Sequence, residues 1–222
     1  MEDSITFKVI ILGDHMVGKT AFITRYYKNT FCESQLSTVG IVNYAKKLII
    51  NNKTINLKVY DTSGQERFRS LAKNFYKGAD GILLFYDITN KKSFDSIGNW
   101  IENINESINI SEIGILIIGN KSDLEEDREV NEEMKKELEK SQNVEIIETS
   151  AKNNINIDIS FNKLIEKMLQ LKEEELKGTN EKPSKNNTIE LRGSIIRKKP
   201  KETGGCCSKK EKKEMMKDLN DL

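Results

Sequence analysis

Eight residues, Gly13-Asp14-His15-Met16-Val17-Gly18-Lys19-Thr20, sit between an apolar, β-branched run (Ile5–Leu12) and a stretch of helical periodicity (Val17–Asn29). The spacing fits G-x-x-x-x-G-K-[ST], and a strand before and a helix after is the context that the pattern needs. Glycines let the backbone curl so that successive N–H groups point into one anion-sized concavity. The helix start adds the positive end of its dipole. In such a loop Lys19 bridges β- and γ-phosphates and the Thr20 hydroxyl binds Mg²⁺. The expected phosphate-binding set is Gly13, Asp14, His15, Met16, Val17, Gly18, Lys19 and Thr20, with Ala21 in the first helical turn.

The rest of the chain, up to Leu171, alternates between strand-like and helix-like segments. Tyr44–Ile50 and Ile55–Tyr60 flank Asn51-Asn52-Lys53, a hairpin signal. Gly81–Asp87 and Ile113–Gly119 are continuous apolar runs, as strands covered on both faces should be. Ser93–Ile108 carries Ile97, Ile101, Ile104 and Ile108 at helical spacing. Asn131–Lys140 reads as a charged surface helix and Val144–Thr149 as a last strand. Ile157–Leu171 reads as a last helix, with Phe161, Leu164, Ile165 and Met168 inward. Such alternation predicts an α/β domain with a mostly parallel sheet. The expectation is six strands, five parallel and one antiparallel at the edge, flanked by helices.

Three further motifs fall at predicted strand ends, where open α/β sheets bind ligands. Asp61-Thr62-Ser63-Gly64-Gln65 ends the third strand. Asp61 would face Mg²⁺ from the second side, the Gly64 N–H would meet a γ-phosphate, and Gln65 would orient an attacking water. Asn120-Lys121-Ser122-Asp123 ends the fifth strand. The Asp123 carboxylate suits the N1–H and 2-amino group of guanine, a donor pair that adenine lacks. Lys121 can cover one face of the base, Asn120 can tie this loop to the phosphate loop, and Phe31 is the candidate for the opposite edge. Thr149-Ser150-Ala151-Lys152 ends the sixth strand, so the Ala151 N–H can reach the guanine carbonyl, with Ser150 and Lys152 beside it.

On these motifs the chain resembles a small GTPase of the Ras superfamily and, within it, the Rab family. The resemblance covers about Ile5–Leu171 and includes Arg67-Phe68-Arg69-Ser70, Phe75-Tyr76-Lys77-Gly78-Ala79 and Leu84-Phe85-Tyr86-Asp87-Ile88-Thr89. Ser37-Thr38-Val39-Gly40 resembles the first switch, which implies that Thr38 gives Mg²⁺ a second hydroxyl and senses the γ-phosphate. The metal set is then Thr20, Thr38 and Asp61. The family further implies slow GTP hydrolysis with Gln65 as the catalytic residue and a GTP/GDP switch in vesicle traffic. It implies exchange factors, GTPase-activating proteins, GDP-dissociation inhibitor and effectors on residues 34–44 and 64–78.

His15 and Met16 stand where relatives mostly have small residues, and an imidazole beside the γ-phosphate is expected to slow hydrolysis. Ser63 replaces a usual alanine, Tyr60 a usual tryptophan and Phe75 a common tyrosine. Ile41–Tyr44 lacks the acid that Rabs carry near Asn43.

Total charge is nearly balanced, 36 basic against 35 acidic, but it is unevenly placed. Residues 178–222 hold 12 basic and seven acidic groups, leaving 24 and 28 for the remainder. That tail has no aromatic residue and cannot repay the entropy of ordering. The division expected is a GTPase domain over 1–174 and a disordered basic tail over 175–222. Gly204-Gly205-Cys206-Cys207 resembles a doubly prenylated terminus, and two lipid chains anchor stably where one is marginal. Yet Ser208–Leu222 follows, whereas prenylation signals are read at a free carboxyl end, so either the extension is trimmed, or it is a read-through, or these cysteines are not prenylated by the ordinary route.

The near-neutral total gives no reason to expect nucleic acid. Three cysteines exclude a disulfide scaffold and fit a reducing compartment. No apolar run approaches the roughly 20 residues of a membrane span, and the polar start is unlike a secretory signal. The expected protein is a monomeric cytoplasmic switch, peripheral on the cytosolic face of endomembranes. The second reading is a GTP-locked scaffold, blocked by His15 and not stably anchored.

Overall fold

The computed structural model describes residues 4–33, 38, 40–50, 52–62 and 76–180, with side chains to residue 177. Its centre is strand β1 (Ser4–Gly13), whose alternate side chains face opposite ways. Val9 and Ile11 join one buried cluster, while Ile10 and Leu12 join another. β1 pairs in parallel with β3 (Lys53–Thr62) on one side and β4 (Gly81–Asp87) on the other. β5 (Gly114–Asn120) and β6 (Glu145–Glu148) continue the parallel set. β2 (Ile41–Ile50) closes the far edge, antiparallel to β3 from Ile41↔Thr62 to Ile50↔Lys53. The order β2-β3-β1-β4-β5-β6 is the six-stranded, mostly parallel sheet that the alternation predicts.

Every residue of β4 and β5 is buried, which is why both read as unbroken apolar runs. β2 has one face open, with no fully buried residue, as suits an edge.

Four helices are seen among the described residues. On one face lie α1 (Lys19–Lys28) and α4 (Ile157–Asn180). Tyr26 of α1 stacks on Phe161 of α4 at 3.8 Å between ring centroids, and Phe22 meets the Phe85 ring edge-on at 4.9 Å. Phe161, Leu164, Ile165 and Met168 are all buried. Burying each such side chain contributes about 1.5–3 kcal/mol. The other face carries α2 (Lys91–Asn105), with Ile97, Ile101 and Ile104 inward, and the more polar α3 (Glu132–Gln142).

The boundaries shift for local reasons. α1 starts at Lys19 rather than Val17 because Gly18 is left-handed, with φ 88°. α2 starts before Ser93 because the Asn90 side chain caps it, accepting from the Ser93 N–H. α3 is capped by Asn131 in the same way. α4 continues beyond Leu171 through charged turns to Asn180, a stretch without the apolar stripe that marks a helix in sequence. Residues 175–180, assigned above to the tail, are therefore helical. None of the described helices is long and apolar enough to cross a membrane.

Parallel order puts the carboxyl ends of β1, β3, β4, β5 and β6 along one edge of the sheet. Gly13, Asp61, Asp87, Asn120 and the turn after Glu148 are gathered there by topology alone.

Candidate functional site

The loop between β1 and α1 depends on its two glycines. Gly13 has φ 135°, and a Cβ there would lie 2.4 Å from the Phe85 carbonyl oxygen. A Cβ on Gly18 would lie 2.2 Å from Asn120 Nδ2. Met16 takes a left-handed conformation (φ 64°) with a side chain, at a cost of roughly 1 kcal/mol, and that side chain is 75% exposed. His15 is exposed at the cavity rim.

Lys19 is buried and folds back over the loop, where its Nζ donates to the Gly13 and Asp14 carbonyls at 2.9 and 2.6 Å. Burial pushes the ammonium down to about 8, against the pull of Asp61 and Asp14. A buried cation so placed is an anion receptor waiting for charge compensation. Trp100 of α2 braces the same loop, its Nε1 donating to Asp14 Oδ1 at 2.9 Å.

Three oxygen-bearing side chains from separate segments meet next to it. Thr20 Oγ1 donates to Asp61 Oδ2 at 2.7 Å and lies 2.6 Å from Thr38 Oγ1. Asp61 is fully buried, and its Oδ1 has no hydrogen-bond partner. Burial raises the carboxyl above its ordinary value, opposed by the Thr20 hydroxyl and Lys19. An orphaned buried carboxylate oxygen is costly, and hard oxygen donors are the set that Mg²⁺ takes. The donor chemistry therefore fits that ion.

The other end of the site is built from loops after β5 and β6. Asn120 is buried; its Nδ2 donates to the Val17 carbonyl at 2.9 Å, and Thr149 Oγ1 donates to its Oδ1 at 3.2 Å. Ser150 Oγ donates to Asp123 Oδ1 at 2.5 Å and accepts from the Asn153 N–H at 2.9 Å. Lys121 pairs with Asp87 at the end of β4, 2.5 Å apart.

A cavity of about 420 Å³ joins the two ends. His15, Met16, Gly18, Lys19, Thr20, Ala21 and Thr38 line one end; Phe31, Asn120, Lys121, Asp123, Ala151 and Lys152 line the other. This volume lies in the range of small-molecule clefts. Gly13, Asp14, Val17 and Ser150 stand behind the lining and hold it: the first two through Lys19, Val17 through Asn120, and Ser150 through Asp123. Gly64 and Gln65 lie outside the described residues, as do Cys206 and Cys207.

Sequence reasoning missed Asp87, Trp100, Glu33 and Arg25 as parts of this site. Asp87 had a signal, since it ends a buried strand. The others reach the site from helices and loops, and nothing in the local sequence says so.

Comparison with known proteins places these features in a family. The Ras family model matches residues 8–170. The chain is 42% identical to Ras-related protein Rab-8A of Rattus norvegicus, over 70% of this chain and 74% of that protein. It is 39% identical to Ras-related protein Rab-13 of Mesocricetus auratus, over 80% of this chain and 87% of that protein. It is also 33% identical to GTP-binding protein YPTM1 of Zea mays, over 91% of this chain and 96% of that protein.

Proposed function

The chain belongs to the Ras family as a Rab-type small GTPase, and from that premise we propose that it is a Mg²⁺-dependent GTP/GDP switch acting in vesicle traffic. The enzyme activity is hydrolysis of GTP to GDP and phosphate. The observation that carries the residue assignment is a single cavity with Lys19, Thr20 and Thr38 at one end and Asp123 and Ala151 at the other. A triphosphate fits the first end and a guanine base the second.

Thr20, Thr38 and Asp61 would hold Mg²⁺. When bound, the ion neutralises charge on the β- and γ-phosphate oxygens. Lys19 exchanges its two loop carbonyls for phosphate oxygens and thereby gains a charged partner. Asp123 accepts from the base, and Ser150 keeps its carboxylate oriented. Asp87 fixes the Lys121 ammonium, so that the lysine stem lies along the cavity wall. Thr38 senses the γ-phosphate, and release of that phosphate frees it. Gln65 positions the attacking water. The second reading, a GTP-locked scaffold, has no observation in its favour.

Thr20→Asn tests the metal assignment. An amide cannot replace the hydroxyl toward both Asp61 and the ion. GTP affinity should fall at least about tenfold more than GDP affinity, because only the triphosphate state recruits Thr38. Equal losses for both nucleotides, measured by displacement of labelled GDP, contradict the role.

We also propose that, once the extension Ser208–Leu222 is removed, the basic tail carries the protein to anionic membranes through Cys206 and Cys207, with partners that read the switch segments. Lysines near an anionic leaflet contribute about 1 kcal/mol each. A Cys206→Ser/Cys207→Ser double variant of the untagged chain should lose membrane association in cell fractionation. Equal partitioning of variant and wild type contradicts prenyl anchoring.

A further inference from the structure

One guanidinium ties the two loops that flank the base end of the cavity. Arg25, half-buried on α1, donates from Nε to the Ala151 carbonyl at 2.8 Å and from Nη2 to the Lys152 carbonyl at 2.9 Å. Its Nη1 donates to the Asn29 carbonyl at 3.0 Å. Asn29 is the left-handed residue that ends α1 and turns the chain toward Phe31. The same two loops meet again at the rim, where Lys152 pairs with Glu33 at 2.9 Å.

The peptide planes of the turn are thus fixed from behind. The Ser150 carbonyl accepts from the Ile155 N–H at 3.0 Å. The next carbonyl, Ala151, is taken by Arg25 Nε. The peptide bonds of this turn are trans, as are all those among the described residues, so each N–H points opposite to the carbonyl of its own peptide group. Holding the Ser150 and Ala151 carbonyls therefore aims the N–H groups of Ala151 and Lys152 the other way. Both residues line the cavity.

We infer that Arg25 is a positioning residue for base recognition, which orients the Ala151–Lys152 turn toward the 6-oxo group of the nucleotide and sets how long the nucleotide stays bound. The inference deepens the guanine-site assignment and rests on it. A planar fork is required, because three carbonyls in two loops accept from three different nitrogens. Lysine carries the charge on a single nitrogen and cannot reproduce that pattern.

The test uses the full-length chain and two variants, Arg25→Lys and Arg25→Met, which keep an unbranched stem at this position of α1. Dissociation is timed in stopped flow for GDP and for 6-thioguanosine diphosphate, in which sulfur, a weaker acceptor, replaces the 6-oxygen. Loss of one well-placed hydrogen bond to the base corresponds to about tenfold. Both variants should release GDP at least about tenfold faster than wild type, but should accelerate release of the thio analogue less than about threefold. Release of GDP within twofold of wild type overturns the inference. Equal acceleration of both nucleotides also overturns it, because it marks general loosening of the fold. Failure of the wild type itself to retain GDP overturns the guanine-site assignment instead, so the two failures are distinguishable.

Discussion

Asp123→Asn is expected to weaken GDP binding by about 10³-fold and to turn preference toward xanthosine diphosphate. The carboxylate lines the cavity, with one oxygen already taken by the Ser150 hydroxyl at 2.5 Å. It is therefore held as an oriented acceptor rather than a free surface charge. Guanine offers it two donors, N1–H and the 2-amino group. Hydrogen bonds to a charged acceptor contribute about 1.5–3 kcal/mol each, so removing the pair costs roughly 4 kcal/mol, or about three powers of ten. The amide in the variant replaces one acceptor oxygen by an NH₂ donor group, which opposes the guanine amino group but matches the 2-carbonyl of xanthine. Competition against labelled GDP measures both arms. If the variant keeps its GDP affinity, or if ATP competes with GTP equally for wild type, the base site lies elsewhere.

Gln65→Leu is expected to remove activator-stimulated hydrolysis almost entirely, a loss of at least about 10³-fold, whereas His15→Ser should raise it at least about tenfold. An arginine finger beside the γ-phosphate contributes on the order of 10³–10⁵ in rate and needs the glutamine-held water in place. In the proposed site the loop would cradle phosphate through backbone groups and Lys19, which the side chain at position 15 does not supply. His15 is exposed and lines the same end of the cavity as Lys19, Thr20 and Thr38, the end proposed for the γ-phosphate, where the finger and the water would come together. Ground-state binding should therefore change little when the imidazole is removed, while the barrier falls by about 1.4 kcal/mol. Single-turnover rates with a competent activator decide the matter. Equal rates for wild type and His15→Ser mean that the ring turns clear of the reaction.

Much of the fold was legible because the two periodicities are clean. β4 and β5 read as apolar runs because the sheet is covered on both faces there, and Phe161, Leu164, Ile165 and Met168 mark the α4 stripe. Strand ends follow from strand order, so the positions of Asp61, Asn120 and Ala151 at one edge were implied as soon as the sheet was called parallel. The parts that were hidden depend on three-dimensional reach. Arg25 occupies an ordinary helical position, yet it bonds to carbonyls 126 and 127 residues away. Trp100 reads as one more apolar residue of α2, yet its indole N–H braces the phosphate loop. Ser150 reads in sequence only as a neighbour of the base, and nothing there tells that its hydroxyl donates to Asp123. Such second-layer bonds leave no period and no spacing rule. The left-handed Met16 is another case: the glycine-framed pattern tolerates any residue there, and only the backbone reveals the strain.

The most direct test of the account is single-turnover phosphate release by the purified full-length chain in Mg²⁺, with GTP and ATP compared side by side. The account predicts slow release from GTP, on the order of 10⁻⁴–10⁻³ s⁻¹ without an activator, and none above background from ATP. Equal release from both nucleotides, or none from GTP, would contradict it.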